Sequence, residues 1–135
     1  ALNAFSGQLT WVEGESKDSE LFVRMVFQLG REYPHAKRIH LILDNYGIHK
    51  SQFTKMVLAS CNGKVRLHFL PPYCPDEDRI ERVWLDLHAN VTRNHQCQTI
   101  DELMKEVRYW LRKENKRLQN RYAQLDPNDM YALVP

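Results

Sequence analysis

Two carboxylates, Asp44 and Glu81, each stand where an apolar stretch gives way to a polar one, with 36 residues between them. Asp44 closes the run Ile39-His40-Leu41-Ile42-Leu43, and Glu81 follows shortly after Pro71-Pro72-Tyr73-Cys74-Pro75. Carboxylate oxygens brought together suit Mg²⁺ or Mn²⁺, the hard cations that promote displacement at phosphate. That chemistry ordinarily uses a third carboxylate, and the residues themselves single out none. His49 and Lys50 follow Asp44 within six residues. Lys50 can meet a phosphate, and His49 can orient a water or a phosphate oxygen. Each residue also has an ordinary explanation. Asp44-Asn45-Tyr46-Gly47 is good turn chemistry. Glu81 shares the start of a helix with Asp76, Glu77 and Asp78, where acids complement the helix dipole by a few tenths to about 1 kcal/mol.

The elements that must position these residues follow from periodicity. Residues 1–5 and 8–13 alternate around a Ser6-Gly7 turn and predict a β-hairpin. Residues 19–33 carry Phe22, Val26, Leu29 and Tyr33 on one helical stripe, with Ser16 or Asp18 as N-cap and Pro34 as the stop. Ile39–Leu43 is almost continuously apolar, as in an inner strand covered on both faces. Residues 50–60 predict a helix facing inward through Phe53, Met56, Val57 and Ser60, and Asn62-Gly63 ends it. Val65, Leu67 and Phe69 alternate as a strand. A helix over residues 77–94 would bury Ile80, Trp84, Leu87 and Val91. Thr99-Ile100-Asp101-Glu102 is a capping box opening a last helix, with Ile100, Leu103, Val107 and Leu111 inward. Strands alternating with helices predict an α/β layer with parallel strands, whose ligands gather at the strands' carboxyl ends. Asp44 lies at such an end, and so does the proline-rich loop that delivers Glu81.

A length of 135 residues with 43% apolar content fits one domain with a real core. The expected division is a domain over residues 1–125 and a short tail over 126–135. Nineteen basic and seventeen acidic side chains leave a formal charge of +2, so only local clustering can announce a nucleic-acid partner. Three scattered cysteines suggest a reducing compartment without disulfides. No stretch of the sequence approaches a membrane span, and its opening residues are not expected to act as a signal peptide. The chain opens at Ala1, already strand-like and without an initiator Met, as a piece of something longer would.

Two further groups deserve a chemical reading. His88, His95, Cys97 and Cys74 match no paired-ligand zinc spacing. Arg108, Arg112 and Lys116 align at i, i+4 and i+8, in a run that also holds Lys113, Arg117 and Arg121 and interleaves Tyr109 and Trp110. A solvated helix face accounts for them, and so does a salt-sensitive contact to a DNA backbone.

Read together, Leu43-Asp44-Asn45-Tyr46-Gly47-Ile48-His49-Lys50-Ser51, Phe69-Leu70-Pro71-Pro72-Tyr73-Cys74-Pro75 and Ile80-Glu81-Arg82-Val83-Trp84 resemble the DDE superfamily endonuclease domain. More narrowly, they resemble transposases of bacterial insertion sequences related to the mariner elements. The resemblance implies a ribonuclease-H-like mixed sheet flanked by helices, and an acidic triad binding two divalent metals, Mg²⁺ or Mn²⁺. Asp44 matches the second acid and Glu81 the third. The first is expected on a strand upstream of residue 1, so the chain alone is expected to cleave DNA poorly or not at all. A sheet lacking that central strand would have exposed edges, hence an expected homodimer, with strand exchange as one form. The implied partners are transposon ends and target DNA in the bacterial cytoplasm, near the nucleoid. Glu77 and Asp78 replace a Leu-Asn pair usual in the family, adding negative charge beside Glu81. Two other readings remain: a ribonuclease-H-like nuclease with the same acids, and a non-catalytic DNA-binding or assembly module using the basic helix.

Overall fold

In the computed structural model, residues 1–71 and 79–125 are described. Among them the elements run α1 (Ser19–Glu32), β1 (Ile39–Leu43), a 3-10 turn (Gly47–Lys50), α2 (Gln52–Ser60), β2 (Val65–Phe69), α3 (Arg79–Leu87), a π turn (His88–Thr92) and α4 (Ile100–Ala123). The chain divides into two compact units, one of residues 10–78 and one of residues 1–9 and 79–135.

The first unit is a parallel two-stranded sheet with a helix packed on it. β1 and β2 pair in the register Ile39–Val65 through Leu43–Phe69. Asp18 caps α1, its carboxylate accepting from the Leu21 N–H at 2.9 Å. The stripe expected of that helix is the buried one, with Phe22, Val26 and Leu29 inward and Val23 joining them. Phe22, Val26 and Val65 form the buried centre, and Ile39, Leu41, Leu43, Ile48, Leu58, Cys61 and Leu67 pack around it. Apolar area withdrawn from water at about 25 cal/mol per Å² is what holds such a layer.

Two expectations fail in this unit. β1 is covered on one face rather than both: its odd positions are half-buried, while His40 is exposed and Ile42 is 62% exposed. α1 serves only the face carrying Ile39, Leu41 and Leu43. The inward face of α2 is also rotated from the predicted one. Lys50 closes a separate 3-10 turn, and Ser51 caps α2 by accepting from the Thr54 N–H at 3.1 Å. Thr54 therefore points inward and is fully buried, with Leu58 and Cys61 following it toward the core. Phe53, Met56 and Ser60 face out.

The second unit is helical. Its N-terminal segment forms a single antiparallel bridge, Leu2 to Leu9, in place of the predicted hairpin. The Asn3 side chain takes the N–H groups of Phe5 and Ser6 at 2.9 and 3.1 Å, winding the chain into a turn where a ladder would have continued. Gly7 sits at φ +69°, and a Cβ there would lie 2.6 Å from the Tyr122 ring, so glycine is required twice over. Leu9 donates its N–H to Asn115 Oδ1 at 2.8 Å, tying this segment to α4.

α3 and the π turn also pack against α4. Val83 is the buried residue of α3, and Trp84 lies on its exposed side, contrary to the predicted stripe. The expected helix start at Glu77 and the loop Pro72-Tyr73-Cys74-Pro75 lie outside the described residues, as does the tail from residue 126. α4 opens on the predicted Thr99 cap, whose hydroxyl accepts from the Glu102 N–H at 3.2 Å, while the Glu102 carboxylate reaches past Thr99 to the Gln98 N–H at 2.8 Å. Leu111 and Leu118 are buried along it, whereas Ile100, in its first turn, is 70% exposed instead of inward.

Candidate functional site

Asp44 leaves the carboxyl end of β1 where the backbone turns into the 3-10 helix. The turn is held locally: Asp44 Oδ1 accepts from the Tyr46 N–H at 3.1 Å, and the Leu70 N–H reaches the Leu43 carbonyl at 2.8 Å. The ordinary turn role of Asp44 is thus realised. It leaves the side chain 56% exposed, at the end of the sheet where α/β folds keep their ligands.

His49 returns to the same carboxylate. Its Nε2 lies 3.1 Å from Asp44 Oδ1, and its side chain is only 11% exposed. The ring meets Phe22 of α1 edge-on at 4.4 Å between centroids and Tyr46 at 6.5 Å. Nδ1 is buried without a hydrogen-bond partner. Burial pushes the His49 pKa below its ordinary value, with the nearby Asp44 carboxylate opposing and Lys17 adding to the depression.

Lys50 is organised rather than loose. Its Nζ donates to Asn45 Oδ1 at 2.6 Å and lies 4.7 Å from the Phe69 ring centroid. Lys17 covers the exposed Tyr46 ring at 4.4 Å. Asp44, Asn45, Tyr46, His49, Lys50 and Lys17 thus share one small region. Sequence reasoning left out Asn45, Lys17 and the bracing Phe22. The first lies inside the quoted motif; the other two come from a segment whose approach to the loop only folding reveals.

Glu81 belongs to the other unit. It is exposed in the first turn of α3, facing solvent beside Arg82. Arg112 and Lys116 are exposed on α4, and Arg108 is half-buried on the same helix. Arg117 is engaged by the buried Glu114: its Nε donates to Oε2 at 2.8 Å, and that bond raises its pKa further.

Among the described residues, no three Asp, Glu, His or Cys side chains are grouped to hold a metal ion. Cys61 and Cys97 are free thiols, and Cys74 lies outside the described residues. Asp44 nonetheless fits a hard divalent cation in kind. It is an exposed carboxylate whose hydrogen bonds both fall on Oδ1, leaving Oδ2 for a ligand. No helix among the described residues is long and apolar enough to cross a membrane.

Asp44 is thus an exposed carboxylate at the carboxyl end of a parallel strand. The sequence profile of the DDE superfamily endonucleases matches residues 1–104, and the chain belongs to that family. It is also 42% identical over 111 residues to the insertion element IS630 uncharacterized 39 kDa protein of Shigella sonnei. That similarity takes in 82% of this chain but 32% of the relative, so the chain spans about a third of that curated protein's length. No solved structure matches. The family match includes Asp44, His49, Lys50 and Glu81 and stops before Arg108, Arg112 and Lys116.

Proposed function

We propose that this chain is catalytic-domain sequence of an insertion-sequence DNA transposase, with a ribonuclease-H-like sheet organised on β1 and β2. Asp44 and Glu81 are two of the acids that hold Mg²⁺ or Mn²⁺ in that reading. One observation carries it: the family match spans both acids, and Asp44 stands exposed at the carboxyl end of a parallel strand. The relative's name, an insertion element protein, supports the transposase form over a general nuclease of the same fold.

The bound ions would supply a polarised oxygen nucleophile and offset charge on the leaving oxygen. The chain's own residues do the rest. Asp44 and Glu81 each present carboxylate oxygens, and Lys50, fixed by Asn45, offers an ammonium to a phosphate at the Asp44 loop. Arg108, Arg112 and Lys116 form a row on α4 that can track a DNA backbone. Two acids make an incomplete triad, so cleavage by this chain alone is expected to be weak. Each strand of the two-stranded sheet has one edge without a strand partner among the described residues. That supports self-association as the working form, acting on DNA in the cytoplasm.

Calorimetric titration of the chain with Mn²⁺ tests the reading. Binding that is lost in both Asp44→Asn and Glu81→Gln supports it; binding unchanged in both variants rejects it. The second reading, a non-catalytic DNA-binding module, draws on Arg112 and Lys116, both exposed on α4. It predicts DNA binding that weakens in Arg112→Ala and Lys116→Ala and ignores both acid variants.

A further inference from the structure

We propose that His49 is a positioning residue for Asp44: its imidazole, carrying a proton on Nε2, donates to Oδ1 and turns Oδ2 toward the cation. The inference rests on the metal-binding reading of Asp44 and adds to it a residue that acts through that carboxylate, beyond the water or phosphate-oxygen contact that the sequence suggested for His49.

Three features of the geometry carry it. First, the proton must be on Nε2. A bare Nε2 lone pair would face a carboxylate oxygen at 3.1 Å, and a proton on Nδ1 would be buried with no acceptor. Second, the ring cannot swing away. Phe22 meets it edge-on at 4.4 Å and Tyr46 flanks it, while the side chain is 11% exposed. Phe22 is itself part of the buried core under β1, so the packing of α1 sets where the imidazole sits. Third, Tyr46 N–H and His49 Nε2 converge on the same oxygen, Oδ1. With both donors on one oxygen, the carboxylate's rotation is fixed and Oδ2 is the atom left to a ligand. Hydrogen bonds of this kind to ligating carboxylates typically matter 10- to 100-fold in metal affinity.

The test uses the full ¹⁵N-labelled chain titrated with Mn²⁺, following paramagnetic broadening of the Asn45 and Tyr46 amide signals, in wild type, His49→Gln and His49→Asn. A Gln amide nitrogen reaches the position of Nε2; an Asn amide nitrogen reaches only that of Nδ1. His49→Gln is expected to bind within a few-fold of wild type, and His49→Asn at least about 10-fold more weakly, with similar thermal stabilities for the two. Equal affinity in all three proteins overturns the positioning role. So does a loss in both variants that tracks their loss of stability. Wild type that shows no broadening at these amides overturns the metal-binding reading itself, and this inference with it. Should both variants fail to fold, the wild-type imidazole ¹⁵N shifts decide: the Nε2–H tautomer is expected, and the Nδ1–H tautomer refutes the proposal.

Discussion

Thr54→Val isolates the polar joint that fixes the loop behind Asp44. Thr54 is fully buried, its hydroxyl donates to the Ile48 carbonyl at 2.8 Å, and it also meets Ser51 Oγ at 3.0 Å. Valine keeps the shape and replaces the hydroxyl with a methyl group, which removes both bonds. The Ser51 cap on the Thr54 N–H survives, because it uses the backbone. The Ile48 carbonyl keeps only the long 3.4 Å bond from Ser19. A lost neutral hydrogen bond is worth about 0.5–1.5 kcal/mol, and an under-satisfied buried acceptor about 1–3 kcal/mol. The added methyl returns somewhat under 1 kcal/mol of apolar burial. The net expectation is a loss of roughly 1–2 kcal/mol, which lowers a urea midpoint by about 1 M at an m-value of 1–2 kcal/mol/M. Equilibrium urea unfolding followed by circular dichroism measures it. A Thr54→Val protein as stable as wild type, or more so, would show that the hydroxyl is not the joint between the 3-10 turn and α2.

Three other outcomes follow from the same structure. Because burial depresses the His49 pKa, the folded chain binds that proton less readily than the unfolded chain. The stability this contributes is complete above the unfolded value of about 6.5 and is lost as pH falls toward the folded value, with a slope of at most about 1.4 kcal/mol per pH unit. Urea midpoints of wild type should therefore decline below about pH 6.5 more steeply than those of His49→Gln, and superimposable profiles would contradict the assignment. Nicking of supercoiled plasmid with Mg²⁺ or Mn²⁺ should be weak for this chain alone; efficient turnover would mean that the acids within it suffice. Sedimentation velocity should reveal a dimer that grows with concentration, whereas a monomer at high concentration would remove the argument from the unpaired strand edges.

Local signals in the sequence were readable where the backbone obeys its neighbours. The Asp18 and Thr99 caps, the α1 stripe and the two strands of the sheet all follow from spacing and cap chemistry. Facing failed where a side chain redirected the backbone. Asn3 absorbs the Phe5 N–H that a hairpin turning at Ser6-Gly7 would have paired. Ser51 ends one turn and starts another, which rotates α2 and sends Phe53 and Met56 outward. A polar residue, Thr54, takes the innermost place, and apolar periodicity cannot announce that. At the site, the motif exposed Asp44, His49 and Lys50 as neighbours. It could not tell that His49 would be buried against Phe22, because that contact joins residues far apart in sequence. Glu81 was legible only as a motif position and a first-turn acid.

Anomalous diffraction from crystals of the chain grown with Mn²⁺ addresses the shared-cation claim without any assay of turnover. The account predicts a manganese peak with oxygens of both Asp44 and Glu81 in its coordination sphere, at about 2.0–2.3 Å. Peaks bound to one carboxylate alone, or to neither, would contradict it.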